Sequence, residues 1–392
     1  LTPEEDRTLG QVPTGSLKAY QAVLKSRQLD LQGNFESMEA AADLARTAIG
    51  QDPAYLDAYL ALANAQTSAL NTGALADDAA GGEITDALST ARMLDPGHGP
   101  IYAALGLYQY VTGTPGWAVS FELAMRLDPG NSVTLYAFGY ALQRSGKPDK
   151  GLPLLLRAVE MDPLSIRIHF ALGRNYIVLR DYERARSAFA RIREIDPSSV
   201  LGYGPVSGTY FGEGRMDQAL YWMNRAVAAD PLDFELGGWM VFIYTCLEDH
   251  VAAQQWSEWL DGWITNQPQP MAMQAVHHYL NGKFELALQL SNLALRLDLP
   301  ERWGSAAIFM RIKRDEALSS GDPLAGIKVF ETHYPELFAA RPSITPRNAM
   351  QAVDLALLLQ LAGSEDRARK LLEAAIDFYE SPWSTNGTTR YW

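Results

Sequence analysis

The sequence predicts an all-α protein, one right-handed α-solenoid of about ten to eleven stacked helical hairpins over residues 1–392. Three observations predict it. Asp-Pro recurs at Asp52-Pro53, Asp95-Pro96, Asp128-Pro129, Asp162-Pro163, Asp196-Pro197 and Asp230-Pro231, its prolines 43, 33, 34, 34 and 34 residues apart. Small and aromatic landmarks repeat at fixed offsets between those prolines. A length of 392 residues holds about eleven 34-residue units. A fixed period of 20–50 residues marks an array in which each unit buries its apolar face on the next.

Residues 1–53 are expected to hold N-terminal helices and the first repeat, ending at Pro53. Residues 54–233 carry the well-formed repeats. Each Asp-Pro follows an apolar-periodic stretch, such as Arg-Ile-Arg-Glu-Ile before Asp196. Proline pushes the residue before it out of α geometry and ends the helix. It then suits the start of the next one. Leu105, Phe138 and Leu172, each followed by Gly, lie 24, 25 and 25 residues before the next proline. A glycine there lets two helix backbones approach closely. Ala124, Ala158 and Ala226 stand five residues before their prolines, and Tyr176 and Tyr210 stand 21 before theirs. Breakers at Ser145-Gly-Lys-Pro148, Arg180-Asp-Tyr182 and Glu213-Gly-Arg215 split each unit into helix, turn, helix. The segment 71–82 accounts for the 43-residue spacing as a nine-residue insertion and reads as a flexible loop. Residues 234–392 are divergent repeats, marked by Gly282, Ala287 and Ala294, then Gly321 and Phe330, then Gly363, Ala368 and Ala375.

These landmarks resemble the tetratricopeptide repeat (TPR) family. Its pattern is an aromatic, Leu-Gly and Tyr on the first helix, then Ala, an aromatic and Ala on the second, then Pro. Residues 166–199 follow it through Leu172, Gly173, Tyr176, Ala185, Phe189 and Pro197, with His169 at the first aromatic position and Ile192 at the last Ala. Residues 200–233 keep Tyr203, Tyr210, Gly214, Ala219, Ala226 and Pro231. The resemblance implies a non-catalytic scaffold that binds a protein or peptide partner. A second resemblance rests on Pro13-Thr-Gly-Ser-Leu-Lys-Ala-Tyr20 and on Ala48-Ile-Gly-Gln-Asp-Pro-Ala-Tyr, which continues to Ala63. It is similar to the C-terminal TPR region of bacterial membrane-anchored winged-helix regulators and adenylate-cyclase-like signalling proteins. That implies the sensory or interaction part of a larger signalling or envelope protein. The expected compartment is the periplasm, with the cytoplasm as the alternative, and membrane association would come through another segment or a partner. The opening Leu1-Thr-Pro-Glu-Glu-Asp, neither a start Met nor a signal peptide, is expected to belong to a mature or excised portion of something longer, and Thr389-Arg-Tyr-Trp392 resembles the start of another repeat.

Composition narrows the chemistry. Lys+Arg is 33 and Asp+Glu is 46, a net charge of −13, which disfavours nucleic acid as a partner. Hydrophobic content is 47%, enough for a large core. The single Cys246 excludes an intramolecular disulfide and is expected to be a buried, inert thiol. The longest apolar stretch, near Leu236–Leu247, is shorter than the about 20 residues of a spanning helix. His277 and His278 are adjacent, so on a helix they point about 100° apart and read as packing or surface imidazoles. No nucleophile elbow, phosphate-binding loop or dinucleotide fingerprint occurs, and Asp77-Asp78 reads as part of a solvated loop. No catalytic residue, metal site or cofactor is expected. Trp256, Trp259 and Trp263 share one helical face, either a packed seam or an exposed platform.

In TPR arrays the first helix of each repeat lines the concave face. On the first helices here, the positions left over after the Leu-Gly and buried aromatic sites are Tyr110, Tyr136, Tyr140, Arg144, Arg167, Phe170, Arg174, Phe211 and Phe242. Aromatics beside arginines suit an extended peptide bearing a carboxylate. Residues 1–100 hold 14 acids and 6 bases, whereas residues 101–200 hold 9 and 12, so the basic block coincides with the best repeats. Arg180, Arg184, Arg186, Arg191 and Arg193 read as solvated outer faces. The alternatives are an accessory subunit docking through lateral or convex surfaces, and a small-molecule sensor.

Overall fold

The Asp-Pro period has a local cause visible in a computed structural model of the chain, which describes residues 14–30, 35–72, 77–261, 268–296, 305–344 and 348–380. At all six sites the Asp N–H donates to the carbonyl four residues back, from Asp52 to Ala48 through Asp230 to Ala226, at 2.8–3.1 Å. Proline then holds that Asp extended; Asp196 has φ −140° and ψ 98°. At Asp52, Asp95, Asp196 and Asp230 the carboxylate accepts the N–H two residues on, at 2.9–3.1 Å. Asp-Pro therefore caps one helix and turns the chain into the next. Six residues after proline, Tyr59, Tyr102 and Tyr203 each donate their hydroxyl back to the proline carbonyl, at 3.0, 2.9 and 2.8 Å. After Pro163 that register holds His169, which is buried as expected for core packing.

The described residues are all helical or loop, with no strand among them. The chain divides into two compact units, each considered alone: residues through 142 with 153–163, and residues 143–152 with those from 164 onward. In the first lie α1 (Leu17–Asp30), α2 (Phe35–Gln51), α3 (Leu56–Thr72), α4 (Asp77–Leu94), α5 (Gly99–Val111) and α6 (Trp117–Leu127). Helices α7 (Ser132–Arg144) and α8 (Pro148–Met161) contribute residues to both units. The second holds α9 (Ile166–Val178), α10 (Tyr182–Ile195), α11 (Gly204–Gly212), α12 (Met216–Ala229), α13 (Phe234–Cys246) and α14 (His250–Asp261). It continues with α15 (Pro268–Leu280), α16 (Phe284–Arg296), α17 (Ser305–Ser320), α18 (Pro323–His333), α19 (Ala349–Leu361) and α20 (Glu365–Glu380).

Odd-numbered helices are the first of each hairpin. Within the first unit α1 packs on α3 and α3 on α5; within the second, α13 packs on α15, α15 on α17 and α17 on α19. Each also packs on its own partner, as α9 does on α10 and α19 on α20. This stacking of paired helices is an α-solenoid.

The turn inside each hairpin keeps the 34-residue period further than the prolines do. Gly146, Arg180, Gly214, Glu248 and Gly282 are spaced 34 apart and all have φ between 59° and 75°. Each opens a helix-ending motif: at 214, Gly214 N–H donates to Phe211 and Arg215 N–H to Tyr210, both at 2.9 Å, and the same bonds recur at 180, 248 and 282. Left-handed backbone favours glycine, because a Cβ costs about 1–2 kcal/mol there. Arg180→Gly and Glu248→Gly are each expected to raise stability by about 0.5–1 kcal/mol in thermal melts, after glycine's greater unfolded-state freedom is subtracted. Unchanged or lower midpoints would contradict that reading.

Two expectations are corrected. The described part of the segment 71–82 is helical rather than loop: α3 runs to Thr72 and α4 begins at Asp77, while residues 73–76 lie outside the described residues. Ala80 and Ile84 are fully buried in the first unit's Ala-rich core, which outweighs the helix-weakening Gly81-Gly82. The longer helices, 17 and 18 residues, absorb much of the insertion. Cys246 is exposed, at the last residue of α13, although partial burial still pushes its thiol upward. Trp256 packs against the core around Met240 and Ile243, and Trp259 lies on Gly237, so both sit in the α13–α14 seam. Trp263, Pro13 and the terminal Thr389–Trp392 lie outside the described residues.

Candidate peptide-binding groove

Tyr110, Tyr136 and Tyr140 lie in the first unit. Tyr110 meets Trp117 edge-on, with ring centroids 5.5 Å apart, and Tyr136 stacks on Tyr140 at 6.2 Å. Tyr110 and Tyr136 lean on the core of Phe121 and Phe138. The other expected site residues lie in the second unit. Arg144 is exposed and Arg167 partly buried. Phe170 and Arg174 form a pair on α9: the guanidinium lies 5.7 Å from the ring centroid, and the ring packs on buried Phe189 at 6.3 Å. Phe211 and Phe242 come together across α11 and α13 at 5.4 Å, and Trp239 meets Phe242 edge-on at 5.8 Å.

Phe211 and Phe242 border a groove of about 480 Å³. It runs over four first helices, α11, α13, α15 and α17, which supply Val276, Tyr279 and Ile308 to its walls. Arg180, Tyr182 and Arg311 complete the charged and polar lining. The sequence reading missed Tyr182, Tyr279 and Arg311 and assigned Arg180 to an outer face. For Arg180 a signal was present, since it stands 34 residues from Gly146 and Gly214 in a glycine position. Other members of the expected outer row are tied down. Arg186 bonds Glu213 at 2.8 Å and lies 4.6 Å over Tyr210, and Arg193 lies 4.7 Å over Trp222.

Beneath the groove an ionic network fixes α15, α17 and α19. Buried Asp354 receives Arg314 at 2.5 Å and Arg311 at 3.9 Å. Arg314 also holds Asp315 at 2.6 Å, and the Tyr279 hydroxyl donates to Asp315. Burial pushes the Asp354 carboxyl above its usual range, against the lowering influence of the two guanidiniums. The bond to Asp315 pushes the Tyr279 phenol upward. Nearby, His277 is buried, with Nδ1 3.1 Å from both the Thr245 hydroxyl and the Asn281 amide. Burial, with His278, Lys283 and His250 adding repulsion, lowers it to about 4, so it is a neutral packing imidazole near pH 7. No helix among the described residues is long and apolar enough to cross a membrane.

Residues 136–200 match the tetratricopeptide repeat family. No curated protein matches the chain in sequence. Among solved structures, a human IFIT1 dimer with PPP-AAAA is similar at 13% identity over 96% of this chain and 94% of that one, TM-score 0.50. A tetratricopeptide repeat protein from Parabacteroides merdae is similar at 14% identity, over 76% of this chain and 98% of that one, TM-score 0.48. Pseudomonas aeruginosa pilF is similar at 17% identity, over 58% and 99%, TM-score 0.44. At 13% identity the likeness to the first of these is one of fold alone. Over the described residues the chain is an all-helical α-solenoid, and its residues 136–200 match the tetratricopeptide repeat family.

Proposed function

We propose that this chain is a non-catalytic scaffold that holds an extended peptide, or a peptide-like segment of a protein, in the groove over α11, α13, α15 and α17. The observation that carries the reading is the groove itself: about 480 Å³, walled by aromatics from successive first helices, with arginines at its margins. A stacked array presents such a surface ready-made, so little ordering entropy opposes binding. Phe170 with Arg174 on α9 would extend the same recognition chemistry to an earlier repeat of the second unit. The net charge of −13 makes nucleic acid an unsuitable partner for such a site. The packing of Trp256 and Trp259 inside the α13–α14 seam weighs against docking through that face.

In this reading the chain serves a larger bacterial signalling or envelope protein, on the periplasmic side. The support is the resemblance of residues 13–20 and 48–63 to the periplasmic repeat regions of anchored regulators. Phe211→Glu with Phe242→Glu is expected to abolish capture of partner peptides while leaving the helical circular dichroism signal in place. Undiminished capture by that variant would refute the groove.

A further inference from the structure

We propose that this groove recognises an acidic side chain, Asp or Glu, within an extended peptide, held between Arg180 and Arg311. The inference rests on the groove reading above. Charge is the first argument. The chain carries 13 more acids than bases, yet the residues lining the groove include two arginines and no acid.

Arg180 is the second. It occupies the left-handed turn position that Gly146, Gly214 and Gly282 fill elsewhere, at φ 59°. Non-glycine residues held in strained backbone cluster at functional sites. Among the described residues its side chain makes no ion pair or hydrogen bond, and it lies at the groove margin. Arg311 is the third argument. Its Nε is buried without a hydrogen-bond partner. Its ion pair to Asp354 Oδ2 is a loose 3.9 Å, while Arg314 holds Oδ1 of the same carboxylate at 2.5 Å. The side chain is 35% exposed and lines the groove, so a carboxylate entering there would add a charge-assisted partner to this loose pairing.

The walls set the context of the acid. Phe211, Phe242 and Ile308 lower the local dielectric, which strengthens a charge-assisted hydrogen bond and suits apolar residues on either side of the acid. The groove runs across four helices, so a chain can pass through it, and the carboxylate is that of a side chain rather than of a chain end.

Fluorescence anisotropy with four labelled heptapeptide pools tests this. Three pools are amide-ended, with a central Glu, Gln or Lys flanked by Leu and Phe. The fourth has a central Gln and a free C-terminal carboxylate. Wild type is expected to bind the Glu pool about tenfold tighter than the Gln pool, and the Lys pool most weakly. Arg180→Gly, whose fold is relieved of strain, and Arg311→Gln are each expected to erase the Glu-over-Gln preference. Equal binding of the Glu and Gln pools, lost in Phe242→Ala, would leave the groove standing and overturn the acidic-residue inference. Tightest binding of the free-carboxylate pool would overturn the side-chain source. Binding of no pool below millimolar concentration would overturn the inference and the groove together.

Discussion

Phe189→Ala is expected to cost about 3–5 kcal/mol of stability, among the largest losses available in the second unit. The ring is fully buried and fills the space between α9 and α10 where Gly173 lets the helices close. A Cβ built at 173 would stand 2.5 Å from Phe189 Cε1 and 2.6 Å from Cζ. The ring cannot retreat freely, because Phe170 packs beside it. Gly173→Ala is therefore expected to cost about 1–3 kcal/mol by overpacking. The two changes touch one another, so their effects should not add. Gly173→Ala with Phe189→Leu is expected to recover part of the overpacking loss, as read by urea unfolding followed by circular dichroism. Strict additivity would show that the glycine is not there to admit the ring. Gly106 and Phe121 repeat the arrangement in the first unit, where the added Cβ would meet Cδ2 at 2.9 Å.

Arg314→Met is expected to cost about 3–5 kcal/mol near neutral pH, because it strands a buried carboxylate. Asp354 is 6% exposed, and its one close cationic partner is Arg314 at 2.5 Å. The sign of the pH dependence follows from its titration. Burial already raises the Asp354 pKa in the folded state, and losing Arg314 raises it further. An acid whose folded pKa lies above its unfolded value contributes stability below the unfolded value, and loses it as pH rises through the folded one. The penalty of Arg314→Met, relative to wild type, should therefore be larger at pH 7.5 than at pH 5. Arg314→Met with Asp354→Leu is expected to restore most of the loss at both, since the buried carboxylate is then gone. A penalty independent of pH, or undiminished in the double variant, would remove Asp354 from the explanation.

What could be read from the sequence is what local backbone chemistry demands of particular residues. Asp-Pro was legible because capping and turning need that pair, and Gly173 as a point of close helix approach because its offset from the proline repeats; that Phe189 fills the approach came from the structure. Gly282, Gly321 and Gly363 were legible as turns, and all three have positive φ. Arg180-Asp-Tyr182 was legible as a turn without a glycine, while Glu248 hides the same turn, because a strained residue shows no glycine. The insertion before α4 read as a loop because Gly81-Gly82 and Asp77-Asp78 are local breakers, whereas burial of Ala80 and Ile84 is decided by packing. Of the candidate groove, Phe211 and Phe242 could be found from helix spacing. Tyr279 was missed although Gly282 marks its register, three residues before the turn as Phe211 is before Gly214, whereas Arg311 lies where neither the Asp-Pro marker nor the 34-residue glycine spacing continues. The bonding of Arg314 to Asp354, residues 40 apart, leaves no periodic trace at all.

The central claim is that partners enter over Phe242. Site-specific photo-cross-linking tests it most directly, with a benzophenone amino acid placed at 242 in one protein and at 221, an exposed position on α12, in another. Both would be irradiated with the central-Glu peptide pool and digested for mass spectrometry. The groove predicts peptide adducts at 242 and none at 221. Equal labelling at the two positions, or labelling at 221 alone, would contradict it.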